Sequence, residues 1–217
     1  MSRTVTFYFD PVSPYSWLAA RQIERLDGAG VRTHFQPVLF AGLLMAHGTK
    51  GPAEIAVKRA YTMRDVLRIA SRLGLPVTGP PTHPFNPLRA LRMCIAVDDA
   101  DERRRFAIAL LEGAWARGVD LTDDAVLRRL ATECALDGDA LLARAGDESI
   151  KRRLIDSTDA AVAAGVFGVP TFAIDGELFW GEDRIDALLW RLQGHTIDES
   201  LLSTVLARPA SAARKAG

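Results

Sequence analysis

The sequence predicts an α/β fold interrupted by a large helical insertion, on three observations. The chain of 217 residues opens with strand, helix and strand signals in close succession. A long middle stretch then carries apolar residues at helical spacing and no convincing strand. Strand signals return only near Pro170, as a hairpin followed by one more helix. The order β-α-β, helices, β-β-α puts a small sheet at the two ends of the chain and packs the middle against it.

The elements follow in order. Val5 to Phe9 is an apolar run of β-branched and aromatic residues, read as a buried strand over Thr4 to Asp10. Helix one spans Pro14 to Leu26, with Ser13 as N-cap, Pro14 at the first helical position and Asp27-Gly28 at the end. A second strand covers Val31 to Pro37, where Val31, Thr33 and Phe35 alternate with Arg32, His34 and Gln36. The crossover is expected to be right-handed and the two strands parallel.

From Leu39 to Gly165 only helices are expected. An amphipathic helix covers Ala53 to Leu73 and stops at Gly74 and Pro76, and Val77 to Pro87 is a proline-rich loop. Helices follow at Leu88 to Val97, Glu102 to Arg117, Asp123 to Ala135, Gly138 to Ala145 and Ser149 to Ala164. Pro170 to Asp175 is again a strand, Asp175-Gly176 a hairpin turn, Glu177 to Trp180 the returning strand, and Asp183 to Leu192 a last helix. This divides the chain into a sheet-bearing domain at 1–37 and 166–206, a helical insertion at 38–165, and a tail at 207–217 expected to be disordered.

Bulk composition narrows the function. Hydrophobic residues are 48% and charged residues 25%, as in an ordinary globular protein. Lys+Arg 27 balances Asp+Glu 27, so no charge excess points to nucleic acid or an anionic membrane, and no apolar run is long enough to span a bilayer. The first residues lead straight into a strand without a signal peptide pattern, so a cytoplasmic location is expected. Cys94 and Cys134 sit apart in helical patterns and read as small buried hydrophobes, and four histidines show no metal-ligand spacing.

The stretch that carries chemistry is Asp10-Pro11-Val12-Ser13-Pro14-Tyr15-Ser16-Trp17, a strand-to-helix turn. A helix start presents free N–H groups and a positive dipole end, and Ser13 adds a hydroxyl there. Ordinary helix capping explains a Ser-Pro pair equally well. The spacing matches the redox motif C-x-x-C, with serines at both cysteine places. Such a turn would stabilise a thiolate brought by a ligand.

Element order and this turn are those of a thioredoxin-like fold, and the central helices match its DsbA-like branch. The chain resembles the 2-hydroxychromene-2-carboxylate isomerases and the related kappa-class glutathione transferases. The blocks FYFDPVSPYSWLA, GTKGPAEIAVKRAY, THPFNPLRALR and GVFGVPTFAIDGELFWGEDRIDAL carry the resemblance. It implies glutathione as cofactor, a small aromatic substrate and a homodimer. It makes Ser13 the catalytic residue, and Tyr15, Lys58, Val169, Pro170, Glu182 and Asp183 the glutathione contacts. The same resemblance places a cis peptide bond at Val169-Pro170, facing the start of helix one.

Each of these residues also has a plainer reading. Lys58 fits a solvated helix face, Tyr15 a surface aromatic, and Glu182 and Asp183 favourable charges at a helix start. Asn86 and Arg89 border the proline-rich loop as substrate contacts. Pro11-Val12 before Ser13, and Thr49 where the kappa class has an asparagine, depart from the family pattern. The leading expectation is a glutathione-dependent isomerase of aromatic-compound degradation. A kappa-like transferase and a non-catalytic peptide-binding module are the alternatives, and a thiol oxidoreductase is excluded because no dithiol stands at the turn.

Overall fold

The computed structural model describes residues 3–209, so the part of the expected tail at 210–217 lies outside the described residues. A mixed four-stranded sheet has the order β2-β1-β3-β4, from β1 (Arg3–Phe9), β2 (Val31–Pro37), β3 (Thr171–Ile174) and β4 (Glu177–Trp180). β1 and β2 pair in parallel, whereas β3 runs antiparallel to β1, Phe7 opposite Phe172, and β4 antiparallel to β3. Residues from the two ends of the chain therefore lie side by side in the middle of the sheet.

Alternation along the strands decides what each face buries. Val5, Phe7 and Phe9 point to one side and are fully buried. There the Phe7 ring stacks on Phe172 at 4.9 Å and meets Phe35 edge-on at 5.0 Å. Each such ring contributes about 1.5–3 kcal/mol through burial and roughly 0.5–1.5 more through ring geometry. The same apolar cluster runs on into the insertion through Leu91, Phe106 and Leu127. On the opposite face Tyr8 packs with Val38, Leu43, Ala161, Val166 and Val169.

Seven helices fill the middle of the chain: α3 (Phe40–Ala46), α4 (Ala56–Leu73), α5 (Leu88–Ala96), α6 (Ala100–Trp115), α7 (Asp124–Glu133), α8 (Gly138–Arg144) and α9 (Glu148–Ala163). α10 (Ile185–Leu192) follows the hairpin, entered through a 3-10 turn at Glu182–Arg184. No described helix is long and apolar enough to cross a membrane.

Three local expectations change. Helix one is two pieces, α1 (Pro14–Ala20) and α2 (Glu24–Asp27), because Gln22 and Ile23 donate to Ala19 and Ala20, three residues back rather than four. Ile23 and Leu26 keep their buried places, so the apolar spacing did not reveal the break. α4 begins at Ala56, not Ala53, since Pro52–Glu54 is a separate 3-10 turn in which the Glu54 carboxylate accepts the Gly51 N–H at 2.6 Å. Glu199–Leu206 forms a further helix, α11, capped by Asp198, which the sequence reading did not place.

Candidate functional site at the start of the first helix

The loop between β1 and α1 is fixed by a fully buried carboxylate. Asp10 accepts the Val12 N–H on Oδ1 and the Phe40 N–H on Oδ2, both at 2.9 Å, so it ties the turn to the first turn of α3. Burial pushes its pKa up to about 7, and the two backbone N–H groups work against that rise. Burial outweighs the two backbone bonds.

Side chains of the insertion hold the next two carbonyls. Trp115 on α6 donates Nε1–H to Pro11 O at 2.9 Å, and His83 Nε2 lies 3.0 Å from Val12 O. A carbonyl only accepts, so His83 carries its proton on Nε2. Its Nδ1 is buried without a partner, and burial lowers the imidazole pKa. The two rings meet edge-on at 5.2 Å.

Ser13 follows as the N-cap of α1, a residue only 6% exposed. Its Oγ accepts the Ser16 N–H at 3.3 Å and donates to Val169 O at 3.4 Å. The bond Val169-Pro170 is cis, as expected. The last contact is long for a hydroxyl, so the Ser13 proton is weakly held and free to turn to a stronger acceptor. α1 has only seven residues, so its dipole is smaller than that of the longer helix expected.

Carboxylates from α4 and from the 3-10 turn at Glu182–Arg184 collect near α1. Tyr15 donates its hydroxyl to Asp65 on α4 at 2.9 Å; burial, and then Asp65, raise its pKa. Gln22 donates to Glu182 at 3.0 Å, and burial raises the Glu182 pKa, with Asp183 and Asp65 adding to the rise. Asp183 is exposed and paired with Arg184 at 2.6 Å. Asp65 was missed by sequence reasoning. It stands 50 residues from Tyr15, and nothing local in the sequence marks the pair.

The remaining expected site residues make no hydrogen bond or ion pair with Ser13 among the described residues. Lys58 is exposed on the first turn of α4. Asn86 accepts the Leu88 N–H at 3.0 Å at the start of α5, and Arg89 pairs with Asp124 on α7, so each has a structural partner. Cys94 is buried with its thiol pushed up to about 12, and no cluster of metal-ligating residues occurs among the described residues.

The turn offers a hydroxyl donor with the Val169 carbonyl beside it, and Asp65 of α4 and Glu182 and Asp183 of the 3-10 turn gather near α1.

Comparisons with known proteins place the chain among relatives of the same fold. The chain is 29% identical to 2-hydroxychromene-2-carboxylate isomerase of Sphingobium xenophagum over 191 residues, covering 87% of this chain and 97% of that protein. It is 26% identical to glutathione S-transferase kappa 1 of Homo sapiens over 203 residues, covering 87% and 90%. The solved structure of a 2-hydroxychromene-2-carboxylate isomerase superposes with a TM-score of 0.82 at 22% identity, covering 94% of this chain and 100% of the other. A family model for the DSBA-like thioredoxin domain matches residues 4–193, nearly the whole described chain, and the protein belongs to that family.

Proposed function

We propose that the protein is a glutathione-dependent isomerase that interconverts 2-hydroxychromene-2-carboxylate and trans-o-hydroxybenzylidenepyruvate. The observation that carries this reading is the Ser13 hydroxyl 3.4 Å from Val169 O, at a helix start whose second motif place is also a serine. The residues fit glutathione by their chemistry. Val169 presents backbone to the cysteinyl part, Glu182, Asp183 and Asp65 suit the α-ammonium, and Lys58 a carboxylate. Tyr15 orders Asp65 and closes the same side. Bound glutathione supplies a thiolate that adds reversibly to a conjugated carbon, frees rotation about the former double bond, and is returned unchanged.

The protein's own part is to make that thiolate available. A free thiol titrates near 8.5, so it is mostly protonated at neutral pH. Ser13 donates its proton toward the sulfur instead of toward Val169 O, and the start of α1 adds a favourable potential. Trp115, His83 and Asp10 hold Pro11 and Val12 still, so the hydroxyl is oriented before the ligand arrives. A homodimer in the cytoplasm belongs to the same reading.

The similarity to kappa-class transferases favours a second reading, in which glutathione is joined to an electrophile. Counting glutathione against product separates the two. The isomerase leaves the glutathione concentration constant through many turnovers; stoichiometric loss makes the protein a transferase, and absence of binding leaves a peptide-binding module.

A further inference from the structure

Of the described α-helices, α11 alone buries no residue. Leu201 and Val205 form one row at i, i+4 spacing, and Leu202 and Leu206 form a second row beside it. Glu199, Ser200, Ser203 and Thr204 take the opposite side, so the helix is amphipathic with both sides in water. Leu201 is 57% exposed and Leu206 73%. Ile197, just before the Asp198 cap, and Trp190 on α10 add two more exposed apolar side chains at this end of the chain. The Trp190 ring stacks on His195 at 5.0 Å, in the link between the two helices.

An eight-residue helix is marginal in water on its own, since isolated helices shorter than about 12–15 residues seldom persist. The apolar side of α11 therefore calls for a cover from outside the helix. This chain has little to offer. Met1, Ser2 and residues 210–217, which lie outside the described residues, contain one large apolar side chain between them. A membrane surface fits poorly too, because α11 carries no lysine or arginine to draw its polar side to anionic lipid. The charges at its ends favour a second copy. Asp198 and Glu199 stand at the start and Arg208 just past the end. Neither Glu199 nor Arg208 makes an ion pair among the described residues.

We propose that α11 pairs with α11 of a second copy of this chain, antiparallel across a two-fold axis. Such a contact uses one patch twice, so the apolar rows of the two copies face each other. The antiparallel order sets the acidic start of each helix beside Arg208 of the partner subunit and opposes the two helix dipoles. Parallel pairing would bring like ends together. With Ile197 and Trp190 included, the two apolar faces together expose on the order of 1,000 Å², about the least that a specific interface buries. The family match ends at residue 193, so the contact belongs to the segment that follows the thioredoxin-like domain. It stands independently of the proposed function.

The test is sedimentation of the full chain across a range of concentrations. Wild-type protein shows an association step that doubles its mass, and Leu201→Asp weakens that step by at least about tenfold. Leu201 is exposed in the single chain, so its replacement leaves the fold intact. Glu199→Lys and Arg208→Glu each weaken self-association several-fold by setting like charges side by side. An equimolar mixture of these two variants associates about as tightly as the wild type, because each supplies the charge the other lacks. Rising salt narrows the difference between wild type and the charge variants. Absence of the association step, or a step that Leu201→Asp leaves unchanged, overturns the proposal. So does a mixture that associates no more tightly than either charge variant alone, and so does binding to phosphatidylcholine vesicles in place of self-association. A glutathione titration of wild type and Leu201→Asp gives the same result in both, which keeps this contact apart from the Ser13 site.

Discussion

The sheet-bearing half of the molecule and the helical insertion meet at one loop, residues 10–13, and hold it by different means. The first half works through backbone: β1 pairs with β2 and β3 in fixed register, which brings Ser13 and Val169 face to face from positions 156 residues apart. The insertion works mainly through side chains, with Trp115 and His83 each capping one carbonyl of the loop. Asp10 joins the two halves by binding Val12 and Phe40 at once. Strand pairing survives most side-chain changes, whereas a carbonyl cap is lost with one substitution. The insertion is therefore where small mutations should disturb the site without disturbing the sheet.

The largest expected effect breaks the first half's contribution. Ser13→Ala should lower turnover by roughly 10²–10³, the loss typical of one oxyanion-type donor, with glutathione affinity changing far less. Wild-type turnover in that variant would remove Ser13 from the chemistry.

Next comes the residue shared by both halves. Asp10 has its pKa raised by burial from the usual carboxylate range to about 7 in the folded protein. The folded state thus holds this proton between about pH 4 and 7 while the unfolded chain has released it. Asp10's contribution is full below the unfolded pKa and declines as pH rises through 7, by an amount on the order of a few kcal/mol. Denaturant midpoints measured across that window should fall with pH in the wild type and fall less steeply in Asp10→Asn. Parallel profiles would mean that Asp10 is ionised throughout.

The insertion's grip is tested by Trp115→Phe, which keeps a ring and removes the donor to Pro11 O. A buried carbonyl left unpaired costs about 1–3 kcal/mol, read as a lower urea midpoint, and the freed loop should also reduce turnover several-fold. A stability loss with unchanged turnover would show that strand pairing alone positions Ser13. Smaller again are Lys58→Ala and Asp183→Ala, which should weaken glutathione binding by a few-fold with little change in rate at saturation. Unchanged affinity in both would return them to helix-surface roles. Arg89→Ala should move stability by less than about 0.5 kcal/mol, since its pair with Asp124 is exposed.

The same contrast explains what was legible in the sequence. Val5 to Phe9, the Ser13-Pro14 cap and the Asp175-Gly176 hairpin announce themselves through local chemistry, so the strands and the start of α1 fall where they are expected. The clamps do not. Trp115 and Pro11 are 104 residues apart and His83 and Val12 are 71 apart, so only the folded chain brings them together. The break after Ala20 was hidden because a tighter turn kept Ile23 and Leu26 buried. α11 is the exception: Asp198 and the spacing of Leu201, Leu202 and Val205 signal it locally, yet none of its residues is buried, so it stands outside the apolar pattern that marks the core helices.

The most direct measurement of the central claim is the thiol pKa of bound glutathione, followed by the ultraviolet absorbance of its thiolate across a pH titration. The account predicts a value well below the free thiol's value of about 8.5 in the wild type, returning most of the way toward it in Ser13→Ala while binding persists. A bound thiol that titrates like free glutathione in the wild type, or a depressed value that survives loss of the Ser13 hydroxyl, would contradict it.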